Sequence, residues 1–305
     1  MDLNDSRRRF LMSLGAVAAT TAMPSFSAFA APKAPIGIRF GYAAITWGKE
    51  ERQAVDDIFS VGYQGIQFRG EALTEFKPAE LRDLLQQHKL TFVALSSGEV
   101  SLDAPADEQI AKHTAHAQFV KDSGGLYMQI LDQLKGHPRT ATPDECVKLG
   151  KLLTELGKRT AEIGVPLGYH NHLNTLSEDP ANLDRILEAT DPKYVKLELD
   201  TAHLVAGGGD PAKAIEKYHD RLLFLHLKDV VDIPASTEGA RYPFQFVELG
   251  QGKVDFPAVF AALEKVKYRG WAVVELDRVP VKGRTAKESA AISKTYLEQK
   301  IGVKF

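Results

Sequence analysis

Four short apolar runs in this chain each close on a cluster of imidazoles and carboxylates: Tyr169-His170-Asn171-His172, Glu198-Leu199-Asp200-Thr201-Ala202-His203, His226-Leu227-Lys228-Asp229 and Glu275-Leu276-Asp277. A lone His is ordinarily a satisfied core residue, and a lone Asp after a strand is ordinarily a helix cap. Four such clusters in succession need another account, because withdrawing that many ionisable groups from water is costly without a compensating cation. Nitrogen and oxygen donors with no cysteine among them suit Mn, Co, Mg, Fe or Zn. The imidazoles lean the choice toward a transition metal.

The elements that would have to position these residues alternate regularly. β-rich runs are expected at Ile38–Ile45, Gly65–Phe68, Thr91–Ser96, Leu126–Ile130, Pro166–His170, Tyr194–Leu199, Leu222–Leu227 and Ala272–Leu276. Amphipathic helices are expected between and after them, at Lys49–Ser60, Pro78–His88, Asp107–Ser123, Thr142–Ile163, Pro180–Ala189, Pro211–Tyr218, Phe256–Val266 and Thr285–Gln299, several opened by Pro or by an Asp or Thr cap. Eight βα units without a linker-like break predict an α/β fold, a single-domain (β/α)8 TIM barrel over residues 32–305. In such barrels the chemistry sits where strands end, which is where the four clusters fall. An open doubly wound sheet is the structural alternative, but Ala44-Ile45-Thr46-Trp47-Gly48 after the first strand lacks the glycine spacing of a phosphate loop. Gly207-Gly208-Gly209 reads as a flexible loop after the sixth strand.

Composition narrows the partners. The 305 residues, 44% hydrophobic and 26% charged with a net charge of -2, are those of an ordinary globular protein able to bury a large core. No basic block exists outside the first ten positions, which argues against nucleic acid. Cys146 is the only cysteine, so no intramolecular disulfide forms, and its helical setting reads as core. Residues 1–31 read as a secretory leader: Ser6-Arg7-Arg8-Arg9-Phe10-Leu11, a short apolar run to Ala22, and Ala28-Phe29-Ala30 ahead of a mature start near Ala31. The paired arginines resemble the twin-arginine signal, predicting a periplasmic or secreted protein exported already folded, with no stable membrane insertion after cleavage. A homo-oligomer is compatible with everything above.

The segments Gly168-Tyr-His-Asn-His172, Leu199-Asp-Thr-Ala-His203, Phe224-Leu-His-Leu-Lys-Asp229 and Gly270-Trp-Ala-Val-Val-Glu275 resemble the xylose isomerase-like sugar phosphate isomerase/epimerase superfamily, with inosose dehydratases the nearest likeness. Gly62-Tyr-Gln-Gly-Ile66 and Gly250-Gln-Gly-Lys-Val-Asp-Phe256 extend the likeness over the mature chain. The resemblance implies one divalent metal ion, Mn, Co, Mg or Zn, held by His170, Asp200, His226 and Glu275, with His203 and Lys228 aimed at substrate oxygens. The likeness departs at the fifth strand, where epimerases of the superfamily usually carry Glu in place of His170. This breaks their pair of acid/base carboxylates and leaves His170 and His172 both open as ligand. Gln67 likewise stands where many relatives carry Glu.

What this implies chemically is a metal-dependent lyase or isomerase for a keto-sugar, keto-inositol or 3-keto-glycoside, working by α-proton abstraction and a metal-stabilised enediolate. Glu275 and His172 are the expected proton carriers, the imidazole because an unperturbed pKa of about 6.5 lets it take and return a proton. Lys228 and His203 would stabilise the oxyanion. The broken carboxylate pair tilts the outcome toward elimination. Other readings are an epimerase or isomerase of the same superfamily, a metal-dependent hydrolase, a DNA-repair endonuclease, and a non-catalytic sugar-binding protein using Trp47, Phe68 and Tyr42 as stacking rings. Trp47 is retained as a weak substrate contact. Trp271, ahead of the eighth strand, is read as core, and His88, His113, His116 and His219 as solvated or capping residues outside the barrel.

Overall fold

The computed structural model describes residues 37–234, 236–237 and 242–305, so the expected leader at 1–31 lies outside the described residues. Eight parallel strands close into a barrel: β1 (Ile38–Ala43), β2 (Gly65–Phe68), β3 (Thr91–Val100), β4 (Tyr127–Asp132), β5 (Leu167–His170), β6 (Val195–Asp200), β7 (Leu222–Leu227) and β10 (Gly270–Val274). β10 pairs with both β7 and β1, from Ile38↔Gly270 to Tyr42↔Val274, which completes the ring. The expected (β/α)8 barrel is therefore the fold. Between β7 and the next helix the chain inserts an antiparallel hairpin, β8 (Asp229–Asp232) and β9 (Phe244–Val247), which was not among the expected elements.

Helix starts follow the local chemistry. Thr142 and Thr285 close capping boxes with Glu145 and Glu288, while Asp179, Asp210 and Asp255 cap helices that carry Pro in the first turn. The helices turn their apolar faces onto the outward side of the strands, where Phe40, Tyr42, Ile66, Phe68, Leu197, Leu199 and Leu225 are buried. Tyr42 and Phe68 belong to this layer and are inaccessible to solvent, so they offer no surface for a sugar ring. Among the described residues no helix is long and apolar enough to cross a membrane.

Inside the ring a second cluster of Ala43, Val93, Ala94, Phe224, Trp271 and Val273 fills the barrel below its mouth. Trp271 is its largest member and lies within β10 rather than ahead of it. The ring fits because Gly65 faces it: a Cβ there would stand 2.7 Å from Trp271 Cζ3 and 2.6 Å from Val93 Cγ2. Hydrophobic filling ends one layer short of the strand C-termini. The next layer is polar.

Candidate metal centre and active site

Strand alternation decides which residues of each cluster face inward. On β5 they are Gly168 and His170, on β6 Glu198 and Asp200, while β7 with the residue after it supplies His226 and Lys228. Past the end of β10 the ladder continues through the Glu275 N–H, which donates to Leu227 O at 3.0 Å and carries Glu275 into the same mouth. Cross-strand register then makes neighbours of His170 and Glu198, and of Asp200 and His226.

Around His226 Nδ1 stand Glu198 Oε1 at 3.4 Å, Glu275 Oε2 at 3.4 Å and Asp200 Oδ2 at 3.6 Å. The other ring nitrogen, Nε2, donates to Gln67 Oε1 at 2.8 Å, so the Nδ1 lone pair is the one turned to the carboxylates. Asp200 divides its oxygens: Oδ1 caps the short helix Thr201–Ala206 by accepting from the His203 N–H at 2.8 Å, and Oδ2 is left over. Donor atoms of His170, Asp200 and His226 all lie within 4.8 Å of one another. Asn171 holds Asp200 in place, accepting from its N–H at 2.9 Å and donating to its carbonyl at 3.1 Å. Thr201 ties β6 to β7 by accepting from the Lys228 N–H and donating to the Lys228 carbonyl.

Whether these residues fit a cation is tested by the atoms they leave unsatisfied. Glu198 Oε1, Asp200 Oδ2 and His226 Nδ1 are buried without a hydrogen-bond partner, while His170 Nδ1 and Glu198 Oε2 face each other as an ion pair. Buried polar atoms are nearly always paired, so three unsatisfied atoms gathered at one spot match a site built for an ion. Burial alone would strip the proton from His226, yet Glu198, Glu275 and Asp200 hold its pKa well above the ordinary value. A proton there does part of the work of a cation. His170, His172 and His203 form a second cluster within 4.8 Å. It suits a cation poorly, because Lys228 Nζ lies 3.2 Å from His203 Nε2 and brings a fixed positive charge.

Lys228 is wholly buried and links the mouth together. Its ammonium donates to Glu275 Oε1 at 2.9 Å and to Asp277, and lies 4.2 Å from the Phe246 ring centroid. Burial opposes its charge, but Asp277, Glu275 and Asp200 keep it protonated. Burial would also raise the Glu275 carboxyl; His226 and Lys228 more than offset this and hold it well below the carboxylate range. The His172 ring stacks on His203 with centroids 3.6 Å apart, and its Nδ1–H donates to Leu173 O at 2.6 Å, leaving Nε2 as an acceptor. Burial and the neighbouring His170 push His172 down to about 3, far from the unperturbed imidazole expected from the sequence. His203 is likewise held neutral by burial and the charges of its neighbours.

Several residues sit elsewhere than expected. Trp47 donates through Nε1 to Asp57 at 2.9 Å and meets Tyr42 edge-on, so its polar atom is committed to the outer layer. His88 and His219 do cap or face solvent, but His113 is fully buried and His116 half-buried, both within 2.8 Å of Ser97 Oγ within β3. That pair is an internal polar cluster, because helix periodicity alone does not show that Ser97 faces it. Gly207 and Gly209 are packed rather than loose, a Cβ on Gly207 approaching Glu178 O to 2.2 Å and one on Gly209 approaching Leu204 Cδ1 to 2.6 Å, while Gly208 is open. Two groups in the mouth were not singled out from the sequence. Glu198 could have been, since period-two alternation puts it on the face of Asp200. Phe246, 5.0 Å from the His203 ring, stands on the unforeseen hairpin, whose Asp-Val-Val-Asp and Phe-Gln-Phe-Val alternation was the available signal.

A closed parallel barrel whose C-terminal mouth gathers imidazoles and carboxylates around one point defines a TIM barrel with a candidate metal site. Residues 55–296 match the xylose isomerase-like TIM barrel family, and the chain belongs to it. It is 28% identical over 299 residues to an inosose dehydratase of Lacticaseibacillus casei (strain BL23), covering 88% of this chain and 98% of that protein. It is also 28% identical over 273 residues to an inosose dehydratase of Geobacillus kaustophilus (strain HTA426), covering 79% and 88%. Among solved structures, the fold resembles IOLI protein with a bound zinc atom (TM-score 0.72, 20% identity, 87% of this chain and 98% of that one). It also resembles D-allulose 3-epimerase from Methylomonas sp. (TM-score 0.67, 19% identity, 88% and 99%).

Proposed function

We propose that this protein is a divalent-metal-dependent lyase or isomerase acting on a keto-sugar, keto-inositol or 3-keto-glycoside by removal of the proton α to the carbonyl. The observation that carries the reading is the convergence of ligating atoms of His170, Asp200 and His226, with Glu275 beside them, at the mouth of the barrel. The inosose dehydratase relatives support the substrate class. His170, Asp200, His226 and Glu275 would hold Mn, Co, Mg or Zn, which supplies a Lewis acid that polarises the carbonyl and acidifies the neighbouring C–H.

The protein's own groups account for the rest. Glu275 is ionised at neutral pH and takes the α-proton, with Lys228 keeping one of its oxygens fixed. His172 presents the Nε2 lone pair to a substrate hydroxyl, and Lys228 and His203 face the oxygen that gains charge. Glu198 is sealed below His170, so among the described residues no second carboxylate on strand five or six faces Glu275 across the substrate. That asymmetry favours expulsion of a β-oxygen over reprotonation on the opposite face, and so dehydration or glycoside elimination over epimerisation.

The test is incubation of metal-loaded protein with keto-inositols and 3-keto-glucosides in deuterated water, followed by mass spectrometry. Deuterium at the α-carbon of recovered substrate or product is expected. Turnover that leaves the α-hydrogen in place, or that survives exhaustive chelation, overturns the reading. Residues 1–31 are read as a twin-arginine leader exporting a mature domain of residues 32–305 as a periplasmic or secreted protein, a reading that rests on the Arg7-Arg8 pair and Ala28-Phe29-Ala30. N-terminal sequencing of exported protein should begin near Ala31.

A further inference from the structure

We infer that Glu198 is the positioning residue of the metal centre: it holds His170 Nδ1 so that Nε2 is the nitrogen presented to the cation. The inference rests on the metal-centre reading above. Three independent features of the barrel lead to it. His170 and Glu198 occupy the same register position on adjacent strands, which sets their inward side chains against each other, and Glu198 Oε2 abuts His170 Nδ1 as a close ion pair. Glu198 has no accessible surface at all and lies one inward position deeper than Asp200, out of reach of a substrate in the mouth. The space it occupies is opened by Gly168, where a Cβ would stand 3.2 Å from Glu198 Cβ.

A carboxylate sealed from water, with neither oxygen in a well-formed hydrogen bond, needs positive charge nearby. His170 Nδ1–H and a cation beyond the ring provide it together: the imidazole passes the carboxylate's negative charge toward the ion, and the carboxylate raises the basicity of Nε2. The second imidazole is held differently, His226 Nε2 by the neutral amide oxygen of Gln67. The centre thus carries one imidazole backed by an anion and one backed by an amide, with the stronger donor at His170.

The experiment compares purified wild-type protein with Glu198→Gln and Glu198→Asp. Zinc affinity is measured by competition with a chromophoric chelator, the cobalt-substituted visible spectrum is recorded, and metal-free melting temperature is read in parallel. Glu198→Gln should bind zinc about 10- to 100-fold more weakly and shift the cobalt bands. Its metal-free form should melt no lower than wild type, because without the cation the cluster of Glu198, Asp200, Glu275 and Asp277 carries excess negative charge; a purely structural residue would lower it. Glu198→Asp, which keeps the charge but withdraws it from the ring, should fall between, and serves alone if Glu198→Gln fails to fold. Wild-type affinity and spectrum in the folded variant overturn the inference while leaving the metal centre standing. A wild-type protein that binds no divalent metal overturns both.

Discussion

Lys228 Nζ lies 2.9 Å from Glu275 Oε1 with the lysine wholly out of solvent, and among the described residues it is the one ammonium paired with the mouth carboxylates Glu275 and Asp277. Removing it leaves like charges facing one another in a water-poor site. Lys228→Met, which keeps the length of the stem, should destabilise the metal-free protein by about 3 kcal/mol. Urea unfolding measures this, and an unchanged midpoint would show that the pair contributes nothing. Turnover should fall as well, since Glu275 loses the group that fixes it.

Glu275 faces both His226 and Lys228, and the proposed reaction needs it unprotonated. Glu275→Gln keeps the shape and removes the base, so α-proton exchange should slow by about 10²- to 10⁴-fold. His172→Gln should instead weaken substrate binding, because His172, held down at about 3, serves as an acceptor. Equal losses of kcat in both variants would contradict this division of roles.

Binding of a metal to the native fold alone should raise its stability by mass action, by about 2.7 kcal/mol at a hundredfold excess over Kd. Thermal melts with and without chelator should therefore differ by several degrees. Zinc, manganese and cobalt should each restore the upper value, and coincident melts would count against a metal centre.

Glu51 is buried at the start of the helix Glu51–Val61 with both carboxyl oxygens unpaired. Burial, and then the Glu71 carboxylate, push its pKa up to about 7 from 4.5. The folded state therefore binds a proton that the unfolded chain has released, and this contribution to stability, full below about pH 4.5, declines as pH rises to about 7. Glu51→Gln should flatten that decline and stabilise the protein at pH 8 by about 1–3 kcal/mol. Parallel stability–pH curves for the two proteins would dismiss the assignment.

Gly65 shows how the floor of the site depends on packing. Gly65→Ala drives a methyl group into Trp271 and Val93, both locked in the barrel interior, and should cost about 1–3 kcal/mol. The paired variant Gly65→Ala/Trp271→Phe should recover part of the loss, which double-mutant unfolding would reveal.

The barrel was legible in the chain because its signals are local. Period-two runs, helical periodicity, and caps such as Thr142 with Glu145 or Asp210 before Pro211 are set by residues within a few positions of one another. They placed all eight barrel strands and the four polar strand ends, His170, Asp200, His226 and Glu275 among them. Tertiary structure decided what no local pattern contains: which residue on one strand stands level with which on the next. Alternation put Glu198 on the inward face, but only the register of β5 against β6 set it on His170. The same holds for Ser97 beneath His113 and His116, and for Phe246 beside Lys228. Burial, finally, is a property of the assembled barrel, and so the depressed pKa of His172 and the held charge of Lys228 arise only when distant strands shut water out of the mouth.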